Sequence, residues 1–514
     1  MEELSKESEY IKNFIEDEPN IENILKTAYD ILKLSISYKE YKNILLNISN
    51  SYDNIEYTEN NIIQYVTIVD YFMLNKQEEI FNYIINKYII RKNKYYEKLH
   101  MYNSINYYIT KIIGKENKIN NRTFEYLINL NNEINELYSR TITQKTLNKC
   151  KLLVKLNISN NVNITNVNHF SYLKELNISG QYCRVNQKGI SDLKLVKNLN
   201  ACNNNKINDV NHLENLEVLD ISYECGVNQN GISNLKLVKD LNAYNNDKIK
   251  DINHLDKLEV LNISCNCGVV QEGIKDLKLV KNLNACYNTK IKNANHLEKL
   301  EELNISGSGV DQDGIKYLKL VKILYACDAN KIKNVNHLEK LKILYIPYEC
   351  GVNQDGISNL KLVKNLYTHD NNKITNVNHL EKLEILNISN KCGVNQEGIS
   401  NLKLVKNLYT CNNNKIKNVN HLEKLEELNI SGSCGVSQDG ISNLKSVKQL
   451  YAGDNGKIKN VNHLEKLEEL NVSGSCGVNQ EGISNLKSIK DLKAQDNNKI
   501  SVTNYFKNKK RKFS

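Results

Sequence analysis

The sequence predicts an α/β solenoid, with about seventeen short parallel β-strands side by side on a concave face, an α-helical region before them and a basic tail after them. Three observations lead there. His169, His212, His254, His296, His337, His379, His421 and His463 each sit in Asn-His-Leu or Asn-His-Phe. They follow one another at 41 to 43 residues, and self-similarity at a fixed period marks a repeat architecture. Each period holds two related halves, Leu216–Ser222 and Val196–Cys202 being examples, both built as apolar-x-x-Leu-x-apolar. Their central leucines run from Leu156 to Leu492 in steps of 20 alternating with about 22. Residues 1–148 lack this period and carry apolar side chains at helical spacing instead.

Three segments follow: a helical domain at 1–148, the solenoid at 149–503 and a tail at 504–514. In the first, Ile21, Ile24, Leu25 and Ala28, then Ile62, Ile63, Val66 and Val69, then Ile80, Tyr83, Ile84 and Tyr88 recur as helix faces. The stretch Tyr57 to Tyr88, with Tyr57-Thr58 and later Asp70, Tyr71 and Leu74, is similar to the C-terminal half of BTB/POZ domains, although Val69 stands where that family has alanine. The family's N-terminal strands are not evident in the residues before it. That resemblance implies a substrate adaptor of a cullin-type ubiquitin ligase. The bland counterpart is a helical domain that caps the solenoid.

Within the solenoid, Leu219 and Ile221 alternate with Asp220 and Ser222, which is a short strand with one buried face. Val227, Ile232 and Leu235 come from the returning segment. A single unit buries none of these fully, so neighbours must stack into one continuous core. Gly226 and Gly231 recur as Gly268 and Gly273, then as Gly351 and Gly356, and suit tight turns on the back of the coil. This pattern resembles leucine-rich repeats of the internalin and ribonuclease-inhibitor types. The Gly-Val-x-Gln-x-Gly-Ile-x-x-Leu segment, as in Gly226 to Leu235, looks like the return of cysteine-containing repeats. One departure stands out: Ile207 follows Leu199 by eight residues, one more than is usual there, which leaves the loop register open. The Asn- and Lys-rich style is also similar to leucine-rich-repeat families of insect poxviruses and other large DNA viruses, which would make a ligand a host protein.

The residues after each central leucine form the natural binding surface. They are mostly asparagine, but Tyr325, Tyr345, Tyr367, Tyr409 and Tyr451 gather in the C-terminal half. Strands about 4.8 Å apart would make Tyr325, Tyr345 and Tyr367 a contiguous aromatic strip, of the kind interface hot spots favour. Against this stands composition, since the chain has 30 tyrosines and overuses asparagine throughout. Two positions before each leucine, charge alternates from Lys197 and Glu217 onward, and opposite charges on neighbouring strands support each other. The alternation breaks once, at Lys342 between Lys322 and Lys364, where a partner could supply negative charge.

Histidines two units apart lie about 10 Å apart, too far to share a zinc ion bound at about 2 Å, so they are expected to close turns. Cys225, Cys267, Cys350, Cys392, Cys434 and Cys476 share one register, and Cys202, Cys286, Cys327 and Cys411 another. Same-register cysteines are too far apart for disulfides, and both sets read as small buried fillers in a reducing compartment.

The net charge is +10, of which Lys507, Lys509, Lys510, Arg511 and Lys512 supply five. The body is therefore only mildly basic, which argues against nucleic acid. The tail reads as a nuclear import signal or a solvated end. No secretory leader or apolar run of about 18 residues is seen. Nor is there a phosphate-loop, dinucleotide, His-Glu-x-x-His or Gly-x-Ser-x-Gly motif. The expectation is a non-enzymatic, cofactor-free, cytoplasmic protein that binds a protein ligand on the concave face, with the ligase adaptor as alternative. An enzyme hidden in the N-terminal region and nucleic-acid binding through the tail are the rivals from other classes.

Overall fold

A computed structural model describes residues 136–140, 142–150, 152–503 and 505, together with Lys39 and Lys42. The expected N-terminal helices, the BTB/POZ-like stretch and the Lys507–Lys512 cluster lie outside the described residues. The chain divides into two compact units, Met1–Ile207 and Asn208–Ser514.

In the first unit, β1 (Glu136–Tyr138), β2 (Lys155–Asn157), β3 (Glu175–Asn177) and β4 (Asn198–Asn200) pair in parallel, with Leu137, Leu156, Leu176 and Leu199 in register. A four-residue helix, α1 (Gln144–Leu147), capped by the Thr143 side chain, lies between β1 and β2. The sheet thus begins before residue 149, where the repeats were expected to start. β1 escapes the period because no Asn-His-Leu tripeptide precedes it.

The second unit holds fourteen parallel strands in chain order. These are β5 (Val218–Asp220), β6 (Asp240–Asn242), β7 (Val260–Asn262), β8 (Asn282–Asn284), β9 (Glu302–Asn304), β10 (Ile323–Tyr325) and β11 (Ile343–Tyr345). They continue with β12 (Asn365–Tyr367), β13 (Ile385–Asn387), β14 (Asn407–Tyr409), β15 (Glu427–Asn429), β16 (Gln449–Tyr451), β17 (Glu469–Asn471) and β18 (Asp491–Lys493). Leucine pairs with leucine at every step from Leu219 to Leu492. Every central leucine predicted from the period is the buried middle of a strand. This is the architecture that the leucine-rich-repeat resemblance implies. The returning segments hold 3-10 turns such as Gln229–Ile232 and Glu397–Ile399, so helix contributes little to the solenoid.

The interior is aliphatic. In one period Leu386, Ile388, Val394, Ile399 and Leu402 are all buried, each contributing roughly 1.5–3 kcal/mol as an upper estimate. At the C-terminal end Tyr505 is buried and its hydroxyl donates to the Leu486 carbonyl at 2.8 Å. It covers the last unit.

The repeated polar residues hold turn to turn. His254, His296, His337, His379, His421 and His463 each place Nε2 at 2.8–2.9 Å from a carbonyl of the preceding turn. A carbonyl only accepts, so Nε2 carries the proton, and the histidines lock turns as expected. The glutamine of the Gly-Val-x-Gln motif does the same. Gln396 Oε1 accepts from Lys417 N and Asn418 N, both at 2.9 Å.

The extra residue in the loop has a specific use. Four residues after each of the seventeen leucines from Leu156 to Leu492, the backbone is left-handed, as at Asn203 (φ 56°) and Asp454 (φ 58°). The residue after it is, in alternate units, a buried asparagine. Asn413 is one, donating to Ile388 O and Val394 O and accepting from Lys415 N. The motif glycines answer a different need from the expected tight turn. A Cβ at Gly273 would lie 2.2 Å from the Lys250 carbonyl oxygen, so close packing of adjacent turns demands glycine there.

The first cysteine register is buried, with the Cys267, Cys350 and Cys392 thiols pushed up to about 11 by burial. The second register corrects the expectation. Cys202, Cys286, Cys327 and Cys411 are half-exposed, because they sit three residues after the leucine, where side chains point back out of the sheet.

Candidate functional site

Each strand presents two side chains away from the core, one before and one after its leucine. At the following position the structure separates asparagine from tyrosine. Asn242, Asn262, Asn284, Asn304, Asn387, Asn429 and Asn471 each turn Oδ1 onto the backbone N–H two residues on, at 3.1–3.2 Å. These are local Asx locks that shape the strand end. Tyrosine cannot make that bond. Beside Tyr325 the Cys327 N–H is accepted by Ser306 Oγ instead (3.1 Å), and two residues after Tyr345 stands Pro347, which has no N–H to satisfy. Asparagine at this position is therefore structural, and tyrosine goes without that bond.

Tyr325, Tyr345 and Tyr367 form one contiguous strip. Ring centroids are 5.9 Å apart for Tyr325–Tyr345 and 5.2 Å for Tyr345–Tyr367. Two residues that sequence reasoning missed extend it. The His369 ring packs edge-on against Tyr345 (5.7 Å) and Tyr348 (5.2 Å). Burial lowers the pKa of His369, and its Nδ1 has no hydrogen-bond partner among the described residues. Ile323, Ile343 and Ile385, also half-exposed, complete an uncharged aromatic–aliphatic block over β10–β13. Tyr409 and Tyr451 stand apart from it and from each other, separated by the asparagines of β13 and β15. Burial above all pushes the Tyr325 and Tyr345 hydroxyls up, and that of Tyr409 to about 12, so all three remain proton donors at neutral pH.

Tyr348 is unusual in its backbone. The seventeen left-handed positions are filled by asparagine, aspartate or glycine except at Tyr223, Cys265, Tyr287 and Tyr348. A bulky residue there is disfavoured by about 1–2 kcal/mol, and Tyr348 is nonetheless half-exposed, with 50% of its surface open. A tyrosine in a register filled mostly by Asn, Asp and Gly, close in sequence to Tyr345, was the readable signal. Strain of this kind gathers at functional sites.

The rim row is an ion-pair ladder. Lys322–Glu301 (2.7 Å), Lys364–Glu384 (2.7 Å), Lys406–Glu384 (2.9 Å) and Lys448–Glu426 (2.7 Å) are formed. The two lysines hold the Glu384 carboxyl down at about 2. Lys322 and Lys364 both turn away from Lys342, which has no ion-pair partner among the described residues and lies exposed beside the tyrosine strip.

Among the described residues no group of three or more His, Cys, Asp or Glu side chains could hold a metal ion, and no helix is long and apolar enough to cross a membrane.

No family model and no curated protein matches the sequence. Solved structures do. The functional domain of InlJ from Listeria monocytogenes, which includes a cysteine ladder, is 17% identical over 68% of this chain and 72% of its own, with a TM-score of 0.45. The leucine-rich-repeat ectodomain of the Arabidopsis thaliana receptor kinase GASSHO1/SCHENGEN3, in complex with CASPARIAN STRIP INTEGRITY FACTOR 2, is 14% identical over 70% of this chain and 60% of its own, at 0.39. The mouse RP105/MD-1 complex gives 13%, 73%, 77% and 0.39. Likenesses this distant carry no inference about what this chain binds.

Proposed function

We propose that this chain is a non-catalytic binding protein whose ligand is another protein, seated on the outward sheet face of the second unit. The observation that carries this is the uncharged block of Tyr325, Tyr345 and Tyr367 with Ile323, Ile343 and Ile385. Here asparagine locks are replaced by half-exposed aromatic rings already in mutual contact. Preassembled tyrosines lose little conformational freedom on binding and supply the large contact area that anchors an interface. Much of the rim row, by contrast, is occupied in lysine–glutamate pairs.

The similarity of style to large-DNA-virus families would make the ligand a host protein, a narrower reading that rests on composition alone. The ligase-adaptor alternative depends on residues outside those described, and no observation in the solenoid favours it.

The test is affinity capture with the full chain beside a Tyr325/Tyr345/Tyr367→Ala variant and a Lys250/Lys292→Ala variant altered on exposed lysines of the returning turns. A partner lost at least ten-fold by the tyrosine variant alone supports the reading. Equal recovery by all three sinks it.

A further inference from the structure

Charge is not spread evenly over the solenoid. In the fourteen strands of the second unit, the residues flanking the central leucines include six carboxylates: Asp220, Asp240, Glu302, Glu427, Glu469 and Asp491. They include one cation, Lys493, and it pairs with Asp491 at 3.3 Å. The chain as a whole carries +10, so this face runs against the net charge of the molecule. The contrast with the rim is sharper. There, Glu259, Glu301, Glu384, Glu426 and Glu468 each meet a lysine within 3 Å. On the face, Glu302, Glu427 and Glu469 have no ion pair among the described residues; their hydrogen-bond partners are neutral, and Glu469 lies in register with a further carboxylate, Asp491. Asn282 Nδ2 donates to Glu302 (3.3 Å), Asn407 Nδ2 to Glu427 (2.5 Å) and the Tyr451 hydroxyl to Glu469 (3.4 Å).

These carboxylates bracket the aromatic–aliphatic block. Glu302 lies on β9, on one side of it, and Glu427 and Glu469 lie on β15 and β17, on the other. Six strand spacings from β9 to β15, at about 4.8 Å each, make roughly 29 Å, the reach of an extended segment of about nine residues.

Resting on the protein-binding reading above, we infer that the segment seated on this face is cationic: an apolar or aromatic centre over Tyr325, Tyr345 and Tyr367, with arginine or lysine toward Glu302 at one end and toward Glu427 and Glu469 at the other. Guanidinium groups suit both parts, since they donate paired hydrogen bonds to a carboxylate and stack on tyrosine rings. Unpaired carboxylates steer such a segment and raise its association rate. Lys342, unpaired at the rim two strands from Glu302, repels cations and confines them to the carboxylate positions. A phosphate backbone would meet six carboxylates, with Lys342 at the rim as the unpaired cation beside them, which disfavours nucleic acid on this face.

The experiment selects displayed random twelve-residue peptides on the full chain, then measures the binding of labelled selected peptides. They are compared on the full chain, on the Tyr325/Tyr345/Tyr367→Ala variant and on a Glu302/Glu427/Glu469→Gln variant that keeps size and shape. The expected result is peptides with arginine or lysine on both sides of an apolar centre. Their Kd rises at least ten-fold in both variants and also between 50 and 300 mM salt. Selected peptides that need the tyrosines but are neutral or acidic, or that bind the glutamine variant equally, overturn the cationic inference and leave the protein-binding reading standing. Peptides indifferent to the tyrosines, or no selection at all, overturn both. An RNA oligomer that displaces the peptides would likewise overturn the inference.

Discussion

Replacing Asn413 by alanine removes a side chain that touches no ligand surface yet holds two turns together. Asn413 is 1% exposed. Its Nδ2 lies 2.7 Å from Ile388 O and 3.4 Å from Val394 O, and its Oδ1 accepts the Lys415 N–H at 3.0 Å. Alanine leaves all three backbone groups without that partner. Each well-made bond lost to a buried group costs about 1–3 kcal/mol. The 2.7 and 3.0 Å bonds count fully and the 3.4 Å bond little, so the expected loss is about 3 kcal/mol. A single unfolding free energy is poorly defined for a long repeat array, so the assay is native-state hydrogen exchange resolved by segment. About 3 kcal/mol raises local opening roughly a hundred-fold, and the effect should centre on residues 386–416 and fade within a period or two. Exchange there within three-fold of wild type would refute the view that the buried asparagines clamp the turns. The chain carries its own comparison: Ala329 stands at the equivalent place in the β10 unit, where the Ile305 carbonyl accepts from Ser308 N–H (3.1 Å) instead.

Three further outcomes follow from the same geometry. Gly398→Ala would put a Cβ 2.2 Å from the Thr375 carbonyl oxygen and 2.9 Å from Asn376 Cα, both backbone, so two turns must separate at a cost of about 3 kcal/mol; an unchanged urea midpoint would contradict this. Tyr348→Asn relieves about 1 kcal/mol of left-handed strain and gives up an edge-to-face contact of similar worth with His369, so thermal stability should hold while partner capture weakens; unchanged capture would remove Tyr348 from the site. Burial lowers the pKa of His169, His296, His337 and His369, and for a base so shifted the stabilising contribution is complete above the unfolded value of about 6.5 and is lost as pH falls through the folded values. Stability should therefore decline as the pH falls below about 6.5, before rim carboxylates such as Glu384 titrate, and a melting temperature that stays flat on acidification from there would count against it.

What the sequence by itself determined was the interior. A leucine every 20 to 22 residues, flanked by alternating polar and apolar positions, has one way to bury its side chains, so the middle of each of seventeen strands could be marked in advance. Tyr325, Tyr345 and Tyr367 were legible as neighbours for the same reason, because fixed strand spacing turns a register into a row. Tertiary structure alone decided which repeated residues were already spent. Asn413, Gln396 and His421 are as regular in the sequence as Tyr345, and only their bonds to the neighbouring turn reveal them as clamps. The same holds for charge. Glu301 and Glu302 are adjacent in sequence, yet one faces Lys322 at the rim and the other lies unpaired on the sheet face. A strand sends successive side chains in different directions, and which neighbours they meet depends on what the next turn brings alongside, a distance of some twenty residues that no local pattern spans.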